Sequence, residues 1–139
     1  MKTQPTKAQQ TNPGPGPADI SPEEMEVYRA SARRRRMVRL QEVEARYHRA
    51  WETARRAAAL LKEKYGIRQV WVFGSLVRRE RFHSRSDIDL AVPALDDKVW
   101  LRAVRDLLDL DPEFSIDLVE LEHGSPSLRA TVYEEGEEL

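Results

Sequence analysis

Residues 69–92 read QVWVFGSLVRRERFHSRSDIDLAV. The first part, Gln69–Phe73, has the apolar, β-branched and aromatic make-up of a buried strand and stops at Gly74. A second apolar run, Ile88–Val92, follows Asp87 and contains Asp89. Side chains alternate along an extended chain, so both carboxylates point one way while Ile88 and Leu90 point the other. Residues 75–82, between the two strands, predict a short helical turn. The stretch therefore predicts strand, turn, strand, with two acids on one face of the second strand.

Two carboxylates about 7 Å apart on one strand face repel each other and lose solvation unless a positive charge lies between them. A divalent cation supplies that charge. Mg²⁺ typically takes one or two protein carboxylates, several waters and phosphate oxygens. Phe114–Leu121 (FSIDLVEL) predicts a third strand and carries one acid, Asp117, between Ile116 and Leu118. If this strand neighbours the second, Asp117 lands beside the pair and makes a three-carboxylate site for two metal ions. Such sites clamp the attacking and leaving oxygens of a phosphoryl or nucleotidyl displacement. Gly74-Ser75 adds a place where backbone approaches a phosphate, with the N–H groups of the following turn aimed at it and the Ser75 hydroxyl as a donor. Arg78, Arg79, Arg81 and Arg85 lie near enough in sequence for some to reach a triphosphate.

The surrounding chain supplies helices. Asp97–Leu110 is amphipathic, with Val99, Trp100, Ala103, Val104, Leu107 and Leu108 on one side, and Asp111-Pro112 stops it. A short helix from Ser127 and a polar tail complete the C-terminal end. Upstream, Ser21-Pro22-Glu23-Glu24 has the signature of a helix start: Ser at the N-cap, Pro first, Glu third. No Gly or Pro occurs between Pro22 and Gly66. Apolar residues recur at Leu40, Val43, Tyr47, Trp51, Ala54, Ala58, Leu61 and Tyr65, which is helical spacing. An unbroken helix here spans about 66 Å at about 1.5 Å per residue, so it either bends near Arg33–Arg36 or its first half packs on another chain. The second is favoured, because that half has few apolar residues. Residues 1–20, rich in Pro, Gly, Gln and Thr, predict a disordered tail.

Composition narrows the function classes. The 139 residues include no cysteine, which excludes disulfides and thiol chemistry. Nothing approaches the roughly 18 apolar residues of a membrane span, and the N-terminus lacks a signal-peptide core, so a soluble cytoplasmic protein is expected. The net charge of −1 conceals an asymmetry: residues 1–65 carry +6 and residues 66–139 carry −7. A basic half suits nucleic acid or an acidic partner, and an acidic half suits metal ions.

VWVFGSLVRRERFHSRSDIDLAV followed by FSIDLVEL resembles the nucleotidyltransferases of polymerase-beta type, and most of all the minimal nucleotidyltransferases of prokaryotes. The resemblance covers roughly residues 50–139. It implies an α/β (α+β) fold: a mixed β-sheet with helices packed on one side, here preceded by a long N-terminal helical arm. Three segments are expected: a tail over 1–20, the arm over 21–45 and the transferase domain over 46–139. The resemblance implies Asp87 and Asp89 as Mg²⁺ ligands, Asp117 as third ligand and activator of the acceptor hydroxyl, and Gly74 and Ser75 at the nucleotide phosphates. Arg78 and Ser86 join them as nucleotide-binding candidates. Two Mg²⁺ ions and ATP are the implied cofactors. Small proteins of this kind resemble the antitoxins of HEPN/MNT pairs, which transfer AMP onto a tyrosine of the HEPN ribonuclease. A HEPN-type toxin is thus the implied partner, with homo-oligomerisation through the N-terminal helix as a further expectation. One departure from the family stands out: Leu76–Ser86, the spacer between Gly-Ser and Asp-x-Asp, is eleven residues long and has no glycine.

Other residues have simpler readings. His48 and His123 read as surface positions, and His83 as a spacer residue within reach of substrate. Trp51, Trp71 and Trp100 fall at core positions. Glu120 is out of phase with Asp117 and stays outside the metal site. Arg33–Arg36 offers four guanidinium groups to phosphates, but no stacking aromatic accompanies them, so an acidic protein surface or solvent is the better reading. Two functions follow: Mg²⁺-dependent nucleotidyl transfer to a protein hydroxyl, or a non-catalytic module that neutralises its partner by contact. Transfer to a small molecule is disfavoured, because no second domain is evident to hold it.

Overall fold

The structure, a computed structural model, describes residues 19–139; the predicted tail lies outside them as far as residue 18. The chain divides into two units, one ending at Val38 and one running from Arg39 to Leu139. A single helix, α1 (Pro22–Tyr65), belongs to both and passes through Arg33–Arg36 without a break.

In the first unit α1 begins as its sequence predicts. The Ser21 hydroxyl accepts from the Glu24 N–H at 3.1 Å, and the Glu24 carboxylate accepts from the Ser21 N–H at 3.1 Å, a reciprocal capping box. Arg33 pairs with Glu26 at 3.3 Å, and Val27, Tyr28, Met37 and Val38 are exposed.

In the second unit α1 buries Ala50, Thr53, Ala54, Ala57, Ala58 and Leu61. The small side chains let the helix sit close to its neighbours, while Val43, Tyr47, Trp51 and Tyr65 pack around that line. Leu40, expected in the stripe, is exposed. Gly66 ends α1 with φ +67°, a left-handed conformation that favours glycine, and its N–H donates to the Lys62 carbonyl at 3.1 Å. Then come β1 (Trp71–Phe73), 3₁₀ turns at Gly74–Leu76 and Arg79–Arg81, β2 (Ile88–Val92), α2 (Asp97–Leu108), β3 (Ile116–Glu120), α3 (Pro126–Glu135) and β4 (Glu137–Glu138).

The sheet is mixed, in the order β3-β2-β1-β4. β1 runs antiparallel to β2 and β4, whereas β2 and β3 are parallel and are joined through α2. One sheet face carries Val72, Ile88, Leu90, Val92, Ile116 and Leu118, which form a single core with α1 and α2. The other face is divided. Trp71, Ala91 and Leu121 are covered by Val132 and Leu128 of α3, so a helix also lies on this side. The remaining part of that face holds acids. β4 replaces part of the predicted polar tail: two glutamates pair with Trp71 and Val72, and the Leu139 N–H donates to the Val70 carbonyl at 2.8 Å.

Candidate functional site

Strand register brings the acids together. Asp89 of β2 lies opposite Asp117 of β3 and, on its other side, opposite Phe73 of β1. Neighbouring strands are about 4.8 Å apart, so the two carboxylates leave the sheet side by side. Asp87 precedes β2 by one residue and sits outside the ladder, exposed to solvent. It is nevertheless near enough to act on Asp89, whose carboxyl is pushed up to about 6. Burial is the largest cause of that rise, followed by the charges of Asp117 and Asp87. Among the described residues, none of the three carboxylates makes a hydrogen bond or an ion pair.

Gly74 has a second role that sequence reading missed. Its φ is +76°, and a Cβ there would collide with Oδ2 of Asp89. The glycine therefore makes room for the central carboxylate, as well as turning the chain out of β1. The register supplies the reason: Phe73 pairs with Asp89, so the next residue lies against the Asp89 side chain.

The other nucleotide-binding candidates are placed differently. Ser75 is half-buried in the first 3₁₀ turn, where its carbonyl accepts from the Arg78 N–H at 3.2 Å and its hydroxyl has no partner among the described residues. Arg78 is ion-paired with Glu135 at the end of α3, and Arg79 with Glu44 on α1. Ser86 is buried, and its hydroxyl accepts from the His83 N–H at 2.9 Å, closing the turn ahead of Asp87. The His83 ring accepts from the Arg85 N–H at 3.1 Å. His48 pairs with Glu44 at 3.1 Å, and His123 with Glu120 at 3.4 Å, on the opposite sheet face from Asp117. A cavity of about 680 Å³ lined by Lys64, Tyr65, Arg102, Arg105 and Asp106 contains none of the candidate residues.

Sequence reading anticipated three converging ligands. The described residues hold no group of three or more His, Cys, Asp or Glu side chains disposed to grip a metal ion by themselves. What they offer is a pair, Asp89 and Asp117, with Asp87 at its edge. The donor chemistry still fits Mg²⁺: all-oxygen ligands, uncompensated negative charge, and open positions that waters and phosphate oxygens fill. A bound cation would relieve the repulsion that raises Asp89.

Comparison with known proteins identifies the family. The family described as polymerase beta, nucleotidyltransferase, matches residues 56–139. Two solved structures are similar. One is a mutant of the toxin–antitoxin MntA–HpeT, with 27% identity over 61% of this chain and 69% of that one, TM-score 0.50. The other is a toxin–antitoxin with AMP-PNP, with 26% identity over 60% of this chain and 69% of that one, TM-score 0.50. No curated protein matches the chain. With Asp89 and Asp117 in register and Gly74 packed against Asp89, this chain belongs to the polymerase-beta-type nucleotidyltransferases.

Proposed function

We propose that this chain is an antitoxin that transfers AMP from ATP, with Mg²⁺, to a tyrosine hydroxyl of a HEPN-type ribonuclease toxin. The observation that carries the reading is the Asp89–Asp117 pair beside Asp87, negative and without an internal counter-charge. The relatives' toxin–antitoxin assembly and the AMP-PNP in one of them support the partner and the nucleotide. Residues 46–139 carry the chemistry, and the 21–45 arm serves partner binding or dimerisation.

The acceptor oxygen forms a bond to the α-phosphorus of ATP, the α–β bridging P–O bond breaks, and pyrophosphate leaves. Asp87, Asp89 and Asp117 would hold Mg²⁺, which when bound would supply positive charge to the phosphates. Asp117 is exposed at the front of the pair, where it can take the proton of the incoming hydroxyl. Gly74 keeps Asp89 against β1, and Ser75 presents a free hydroxyl to the phosphates.

Co-expression with a HEPN-type partner, followed by intact-mass measurement, tests this. The partner gains AMP with the wild-type chain and none with the Asp87→Asn plus Asp89→Asn variant. If the double variant neutralises the partner as well as wild type and no mass gain appears in either case, the chain acts by contact alone. The internal pairing of Arg78 and the commitment of the Ser86 hydroxyl to its own turn are what favour that second reading.

A further inference from the structure

We infer that Arg46, on α1, is a positioning residue for the carboxylate pair. It rests on the nucleotidyl-transfer reading only in what the pair is for; the positioning itself is a property of the fold. The Arg46 guanidinium is largely buried, its side chain 16% exposed. One terminal nitrogen donates to the Ser86 carbonyl at 3.1 Å and the other to the Glu113 carbonyl at 3.4 Å. Its central carbon lies 4.4 Å from the centre of the buried Phe114 ring, a cation–π contact. Those carbonyls belong to the segments that deliver the acids. Ser86 immediately precedes Asp87, and Glu113-Phe114 leads into β3 and Asp117. The ladder begins beside them, with the Ile88 N–H donating to the Ser115 carbonyl at 2.9 Å.

Other α1 residues hold only one of the two segments. Arg49 grips the Glu113 carboxylate at 2.7 Å, and the Thr53 hydroxyl donates to Asp111 at 2.7 Å. Of these three, only Arg46 spans both. A planar fork is what the task requires, because two carbonyls from two segments are met at once by a rigid group. A lysine keeps the charge, but its single ammonium centre on a flexible stem cannot reproduce the rigid two-nitrogen fork that holds both carbonyls in place. Loss of the fork lets Asp87 and the start of β2 move relative to β3, where Asp89 and Asp117 must stay aligned.

The test compares Arg46→Lys, Arg46→Met and Arg49→Lys in the full chain, by amide hydrogen exchange, Mn²⁺ titration and AMP transfer. In Arg46→Lys the Ile88 amide exchanges about tenfold or more faster while Val72 in β1 stays within about twofold. Its Mn²⁺ affinity falls by about tenfold, the scale for removing a group that orients metal ligands. Transfer falls in kcat with the KM for ATP little changed. Arg46→Met behaves at least as severely, and Arg49→Lys resembles wild type in Ile88 exchange and Mn²⁺ affinity. Unchanged Ile88 exchange in folded Arg46→Lys and Arg46→Met overturns the inference. So does uniform acceleration of all amides, or an Arg49→Lys effect as large as that of Arg46→Lys. A wild-type chain that binds Mn²⁺ without transferring AMP sinks the transfer reading instead, and exchange with Mn²⁺ affinity still decides the role of Arg46. Should wild type bind no Mn²⁺, the exchange comparison decides alone.

Discussion

Replacing Asp89 by Asn should stabilise the fold while abolishing transfer. The carboxyl of Asp89 is pushed up from its usual 3.8 to about 6 by burial, by Asp117 and by Asp87. A group whose folded pKa is raised binds its proton more tightly in the folded state. Below about pH 3.8 the group is protonated in both states and contributes nothing. Between 3.8 and 6 the unfolded chain ionises first, so stability falls as pH rises, and above 6 the full cost applies. At about 1.4 kcal/mol per tenfold difference in proton affinity the upper limit is about 3 kcal/mol. Asp89 is only half-buried, so solvent screening reduces this to about 1–2 kcal/mol. Asn has nearly the same shape and no charge, and it removes that cost.

Urea unfolding of wild type and Asp89→Asn near pH 4 and near pH 8 measures the effect. The variant gains about 1–2 kcal/mol at the higher pH and little at the lower. Mg²⁺ with a non-hydrolysable ATP analogue stabilises wild type by mass action and leaves the variant almost unmoved. A variant no more stable than wild type at pH 8, or a gain equal at both pH values, would refute the reasoning. Asp89 would then not be a repelled carboxylate held in place for a ligand.

Gly74→Ala tests the close approach from the other side: left-handed strain of about 1–2 kcal/mol adds to displacement of Asp89, so urea stability and transfer fall together. Partial recovery of the lost stability in Gly74→Ala plus Asp89→Gly, beyond the persisting backbone strain and read by the same unfolding curves, shows that the two side chains contest one space. Glu135→Gln releases Arg78 and lowers the KM for ATP by about two- to fivefold, a gain of under about 1 kcal/mol in binding, measured by initial rates. An unchanged KM there takes Arg78 out of nucleotide binding.

Most of the fold is legible because its signals are local and redundant. The capping box at Ser21–Glu24, the apolar run ending at Gly74 and the alternation through Ile116–Leu118 each specify an element without knowledge of the rest. β4 is not legible, since Glu137-Glu138 has no apolar pattern and becomes a strand only because the edge of β1 is open to it. Leu40 fits the helical period yet stays exposed, because periodicity marks a face and cannot say how far along the helix the core extends. At the site, sequence spacing finds the acids but not their environment. Asp87 falls just outside the ladder, and the bridging role of Arg46 is invisible because the groups it joins, the Ser86 and Glu113 carbonyls, are backbone and leave no trace in residue type.

The glycine-free spacer illustrates the same limit. By sequence it looks like a defect in a loop that should meet phosphates. Yet among the described residues no non-glycine has positive φ, so Leu76–Ser86 uses ordinary backbone throughout. Leu76 and Phe82 anchor it in the core, Phe82 edge-on to Tyr47 at 5.4 Å, and the Ser86 hydroxyl closes its end. The missing glycine therefore imposes no backbone strain, and the departure shifts from backbone to side chains. Arg78 is engaged by Glu135, Arg79 by Glu44 and by stacking on Tyr47 at 4.7 Å, and Ser86 by His83. Arg78, Arg79 and Ser86 thus already have internal partners, whereas among the described residues the Ser75 hydroxyl and the three carboxylates have none. On the proposed function, nucleotide binding would be led by a metal at the acids and by Gly74-Ser75. Arg78 and Arg79 contribute only to the extent that phosphate outcompetes glutamate, so Glu135→Gln should act on the KM for ATP, while Asp89→Asn should remove nucleotide binding and transfer together.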